Sequence, residues 1–196
     1  MDWTWYLFRF DGRINRAKLW LAIPVLFGLM MTVGLMVIAI HGLFGGTAPF
    51  HFGASDLFKL VDPDAYRSLT WADLPRLLFK LVGTLLLMWV YFAISIKRLH
   101  DRDKSGWWMV PFFAVPGLYN QFADRLPDSY ADLPLALASS GLVLWGFIEM
   151  YGLNGSRKTN RFGADPLAPP PRDTRPPWDQ QSEIEMVPHK AGPSPV

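Results

Sequence analysis

Residues 19–44 hold no charged side chain and are apolar on every side, so a water-soluble fold has no polar stripe along which to expose them. An α-helix rises 1.5 Å per residue, and about 20 residues cross a hydrocarbon core of ~30 Å. The run exceeds that length and predicts a transmembrane helix. It is also longer than the roughly 7–15-residue apolar stretch of a secretory leader, and no small-residue cleavage site follows at a suitable distance. Pro24 falls in the first two turns of this predicted helix, where a missing donor is tolerated. His41 reads as an interfacial residue at the far end.

Three further apolar blocks follow. Residues 77–96 predict a second span, interrupted by Lys80, whose long stem lets its ammonium snorkel to the headgroups. Residues 107–122 contain Pro111, Pro116 and Gly117 and give a helix of only about 24 Å. They are read as a short, Pro-kinked third span, with a re-entrant segment as the alternative. Residues 135–153 form a fourth, in which Ala136, Ser140 and Gly141 permit close helix packing and Glu149 lies near the end. With 51% hydrophobic residues and 18% charged, the expected fold class is all-α integral membrane, a four-transmembrane-helix bundle.

The charges set the expected orientation. Of the 19 Lys and Arg residues, Arg9, Arg13, Arg16 and Lys18 precede the first span, and Lys97, Arg98, Arg102 and Lys104 lie between the second and third. Arg157, Lys158, Arg161, Arg172, Arg175 and Lys190 follow the fourth. Four crossings put all of these on one side, which the positive-inside rule makes the cytoplasm, with both termini there. Three crossings would place the basic tail outside. In the arm at 1–18, Trp3, Trp5, Tyr6, Phe8 and Phe10 are expected at the acyl boundary, and the basic residues at headgroup phosphates or as topogenic anchors only. Asp11 is a candidate N-cap for the helix that follows. The external loop at 45–76 carries Asp56, Asp62, Asp64 and Asp73 without the alternating spacing of a calcium loop, and is expected to be a solvated surface. Residues 154–166 read as an ordered cytoplasmic turn motif, and 167–196 as a disordered, proline-rich tail.

Several chemistries find no support. A net charge of +2 is too small to argue for nucleic acid, and the absence of cysteine removes disulfides and thiolate metal sites. The four histidines show no metal-ligand spacing, so no metal and no cofactor are expected. No serine or cysteine nucleophile stands in a recognisable setting, so no catalytic residue is assigned.

Three stretches remain, FDGRINRAKLW at 10–20, KRLHDRDKSGWW at 97–108 and NRFGADP at 160–166. Their order around four spans resembles the DUF805 family of small bacterial inner-membrane proteins. The resemblance rests on Gly12-Arg13 with Arg16 and Trp20, on Arg98-Leu99-His100-Asp101 followed by Ser105-Gly106-Trp107-Trp108, and on Asn160, Phe162-Gly163 and Asp165-Pro166. It implies an inner-membrane location and a family of unknown function with no assigned catalytic residues. The long first outer loop, the charged insert at 123–134 and the proline-rich tail depart from the pattern.

Four crossings would bring these stretches to one polar cluster on the cytoplasmic face. Arg13, Arg16 and Arg98 are expected to present forked donors to an anionic lipid headgroup or a soluble anion. His100 beside Asp101 would form an oriented imidazole pair, Ser105-Gly106 would cap the third helix, and Trp107 would seal the apolar side. Asn160, Arg161 and Asp165 complete the candidate set. Alternatively, Arg98–Asp101 and Arg–Asp165 pairs staple the helix ends without a ligand. The favoured function is a non-enzymatic membrane scaffold or regulator that binds anionic lipid or a protein partner. A small channel or carrier acting as a homo-oligomer and a lipid-modifying enzyme using His100 and Asp101 are the alternatives.

Overall fold

The computed structural model describes residues 2–44, 53–67, 71–126 and 132–169. The proline-rich tail, from residue 170 on, lies outside them. Among the described residues no β-strand forms; the one backbone pairing of that kind is an isolated bridge between Asn160 and Gly163. The described residues form six α-helices with short 3₁₀ and π turns among them: α1 (Trp3–Phe8), α2 (Arg16–Phe44), α3 (Ser55–Lys59), α4 (Leu74–Asp101), α5 (Val115–Phe122) and α6 (Asp132–Phe147).

Three segments, Arg16–Leu43, Leu77–Asp101 and Asp132–Gly152, are helices long and apolar enough to cross a membrane. Their outward side chains are left largely uncovered by protein: Phe27 is 60% exposed, Val82 64% and Leu137 63%. Such a surface is stable only in hydrocarbon, and the protein is a membrane protein by this measure. Helix α2 begins three residues earlier than the apolar run, because Asn15 caps it by accepting from the Lys18 N–H at 2.9 Å. Asp11, the expected cap, instead pairs with Arg9 at 2.8 Å. The earlier start also puts Pro24 well inside the helix rather than in its opening turns.

Helix α4 is the centre of the packing, with α1, α2 and α3 all against it, while α5 packs on α6. The segment between α4 and α5 changes pitch repeatedly. A 3₁₀ turn at Gly106–Trp108 leads into a π turn at Val110–Ala114 that contains Pro111, and Pro116 falls in the first turn of α5. Both prolines thus sit where wider or unfinished turns tolerate a missing N–H. Buried Phe112 lies against Gly146 of α6, where an added Cβ would stand only 2.8 Å from the ring. Trp108 and Trp145 flank the same ring with centroids 5.4 and 5.6 Å away.

At the opposite end from Asp101, two of the loop aspartates are buried rather than solvated. Asp56 takes Lys80 at 2.9 Å and Lys59 at 3.2 Å, so Lys80 is paired within the protein. Asp62 accepts from Gln121 at 2.8 Å and from Arg125 at 2.6 Å, tying the loop to the end of the α5 segment. A low dielectric rewards such closure, and sequence spacing alone does not reveal it.

The Arg125 hydrogen bonds hold the Asp62 carboxyl below its ordinary range, against a smaller opposing effect of desolvation. The tie therefore contributes stability above the unfolded carboxyl pKa of about 3.9 and loses it as pH falls through the lower folded value. Asp62→Asn is expected to lower the melting temperature in detergent at pH 7, with the gap to wild type narrowing as pH falls below about 4. A gap that stays constant with pH would contradict the assignment.

Candidate functional site

The near ends of α2, α4 and α6 meet in a knot of buried charge. Backbone bonds set the registry: Ile14 N–H donates to the Lys97 carbonyl at 3.3 Å, and Ser156 N–H to the Asp101 carbonyl at 2.8 Å. Asp101 then receives two guanidinium groups. Arg13 donates through Nε and Nη2 to Oδ1, at 3.2 and 2.9 Å, and Arg98 donates through Nη1 to Oδ2. All three side chains are buried.

The remaining Arg13 donors are also taken. Nη1 reaches the Lys158 carbonyl at 2.9 Å and the Gly163 carbonyl at 3.1 Å, and Nη2 reaches the Ser156 carbonyl at 2.5 Å. A guanidinium has five N–H groups, and here every one has a protein acceptor. Arg13 is thus a brace joining the start, middle and end of the chain, not the free fork expected from the sequence. Gly155 belongs to the same arrangement, since a Cβ there would overlap the Asp101 carboxylate.

Arg98 plays a second part. The last turn of the α6 segment is a π turn, Ile148–Gly152, and helix ends leave carbonyls unpaired with partial negative charge. Arg98 Nε takes the Met150 carbonyl at 2.8 Å and Nη2 the Leu153 carbonyl at 2.5 Å, while Arg16 takes the Gly152 carbonyl at 3.1 Å. Cations at a helix C-terminus satisfy both needs together.

Lys97 treats α1 in the same way. Its ammonium is buried and donates to the carbonyls of Trp5, Tyr6 and Arg9, each at 2.7 Å. Asp2 accepts from Trp5 N–H at the other end of this short helix. Tyr6 is fully buried and donates to the Lys18 carbonyl; burial pushes its phenol up to about 12, so it remains a donor at neutral pH. Phe10 packs edge-on to Trp89, with centroids 4.9 Å apart. Tyr6 and Phe10 thus pack against protein, not the acyl boundary.

The matched region of a family profile is bounded by this knot. The profile, described as a protein of unknown function (DUF805), covers residues 7–164. The chain belongs to the DUF805 family. No curated protein and no solved structure matches it.

In this DUF805 protein His100 and Asp101 do not pair. Asp101 is occupied by the two arginines, and His100 sets Nδ1 3.1 Å from the Gly12 carbonyl. The imidazole stacks on Phe162, centroids 3.7 Å apart and planes 5° from parallel. Asn160 donates to the His100 carbonyl at 2.8 Å and joins the knot. Arg161 is exposed and contacts Asp103 at 3.4 Å. Ser105 and Gly106 open only a 3₁₀ turn, with no cap bond from the Ser105 side chain. Trp107 is 81% exposed and seals nothing within the protein. Trp108 fills the inner position instead, with the Lys104 ammonium 4.3 Å from its ring centroid. Among the described residues Asp165 makes no ion pair, and its Oδ1 accepts from Leu167 N–H at 2.9 Å.

A cleft of about 280 Å³ opens beside the knot, lined by Asn15, Arg16, Arg98, Gly155, Arg157 and Asp165 among others. Arg157 was absent from the expected set; its only sequence signal is a basic residue in a Gly-Ser turn. Lys97 and Glu149 also carry more than their positions suggested. Glu149 is buried and receives Arg102 at 3.0 Å. Among the described residues no group of three or more His, Asp or Glu side chains is placed to hold a metal ion.

Removing one partner of a buried ion pair strands the others. Arg13→Ala and Asp101→Asn are each expected to destabilise the protein by about 3–5 kcal/mol in denaturant titrations in detergent. Arg13→Lys should not recover the loss, since one ammonium has three donors for acceptors that occupy five. Full recovery by lysine would remove the bracing role.

Proposed function

We propose that this protein crosses the bacterial inner membrane four times with both termini in the cytoplasm. It acts there as a non-enzymatic scaffold or regulator that binds phosphate-bearing anionic headgroups in the cleft at its helix ends. Support for the fourth crossing comes from residues 106–125, which start at the turn after Asp101 and finish against Asp62 near the other end of α4. As helix, that stretch is about 30 Å long, the thickness of the hydrocarbon core. The distribution of Lys and Arg supports the orientation.

One observation carries the binding reading. Arg98 is fully buried and lines the cleft, and Nη1 and Nη2 each make a single protein hydrogen bond. Its side chain is closed to solvent, so it places positive charge behind the cleft wall, and the donors a ligand reaches are those of Arg16 and Arg157. Arg16 and Arg157 add exposed positive charge at the rim. A phosphate oxygen triad matches this set of planar donors. Arg13 is left out, because its donors are committed.

Arg16→Ala and Arg157→Ala are expected to reduce retained anionic-lipid adducts several-fold in native mass spectrometry, with the melting temperature of Arg157→Ala close to wild type and that of Arg16→Ala slightly lowered by loss of its bond to the Gly152 carbonyl. Adduct levels indifferent to both substitutions would end the binding reading. Reporter fusions at the two termini should both read cytoplasmic, and an insertion at residues 126–132 should read external.

A further inference from the structure

We infer that the group bound in this cleft is zwitterionic, a phosphate joined by a short linker to a primary ammonium, as in phosphoethanolamine. The inference rests on the anion-binding reading above and narrows its ligand class.

The charges that line the cleft are Arg16, Arg98, Arg157, Asp101 and Asp165. Asp101 is already neutralised, with Arg13 on one oxygen and Arg98 on the other. Asp165 is not. Its Oδ1 accepts the Leu167 amide and its backbone carbonyl accepts the Ala168 amide at 3.0 Å, which fix the residue against the cleft wall. Its second carboxylate oxygen has no partner among the described residues. A purely anionic ligand on Arg16 and Arg157, in front of the buried Arg98 charge, would place its charge beside this carboxylate and be repelled by it. A ligand that ends in an ammonium turns the same carboxylate into a second point of attachment. The cavity has room for on the order of nine waters, more than a bare phosphate fills.

The test uses the purified full-length protein in detergent, offered equal amounts of phosphatidylethanolamine and phosphatidylglycerol, with adducts counted by native mass spectrometry. Wild type should retain the ethanolamine lipid several-fold over the glycerol lipid. Asp165→Asn should erase or reverse that preference while total adducts persist, and Asp165→Glu should restore it. Competition by soluble O-phosphoethanolamine but not by glycerol phosphate would support the same chemistry with a soluble source. No competition, with the lipid preference intact, would support a membrane source.

Preference for the glycerol lipid in wild type, unchanged in Asp165→Asn, would overturn the zwitterion while leaving the phosphate site standing. Adducts insensitive to Arg16→Ala and Arg157→Ala as well would remove the site itself. A thermal melt of each variant separates lost binding from lost folding, and Asp165→Glu keeps the proposal open to refutation if the asparagine variant fails to fold.

Discussion

One carboxylate shared by two buried guanidinium groups holds the near end of this protein together. Asp101 stands at the last residue of α4, and its two oxygens receive Arg13 from the arm and Arg98 from the preceding turn. Buried ion pairs are weak sources of net stability, since desolvation offsets much of the attraction. Their effect here is specificity. The five donors of Arg13 have acceptors only when residues 101, 156, 158 and 163 have all arrived, so a near-native arrangement leaves a buried cation unsatisfied.

The same economy recurs at each helix end. Backbone carbonyls that a helix cannot satisfy internally are a liability where water is scarce. Lys97 closes α1, and Arg98 with Arg16 closes the π turn that ends the α6 segment. Basic residues that look like topogenic anchors in the sequence therefore also act as caps.

Much of this was legible in the sequence, and the reasons for the remainder are specific. The three long apolar helices follow from sustained hydropathy, broken by a charge only at Lys80 and near the ends, because a hydrocarbon solvent imposes a strict length and composition. The convergence of Gly12-Arg13, Arg98–Asp101 and Asn160–Gly163 on one end was expected from charge sidedness. Pairing was less accessible. His100 and Asp101 are sequence neighbours near the end of a helix, and adjacent helical residues point in different directions, so each finds a partner from another segment. Lys80 was read as snorkelling to the headgroups and Asp56 and Asp62 as solvent-facing, because nothing in their spacing signals the tertiary contacts that pair them. Trp107 and Trp108 are indistinguishable by type, and only the pitch of the 3₁₀ turn decides which one enters the core.

The docking of the arm has a consequence for biosynthesis. Arg13 emerges from the ribosome early, but its outermost partners, the Lys158 and Gly163 carbonyls, are made only after α6 is complete. Until then the Arg13 guanidinium lacks acceptors for two of its five donors. Closure of the knot is therefore a late event, which waits on the last-made segment of the described chain.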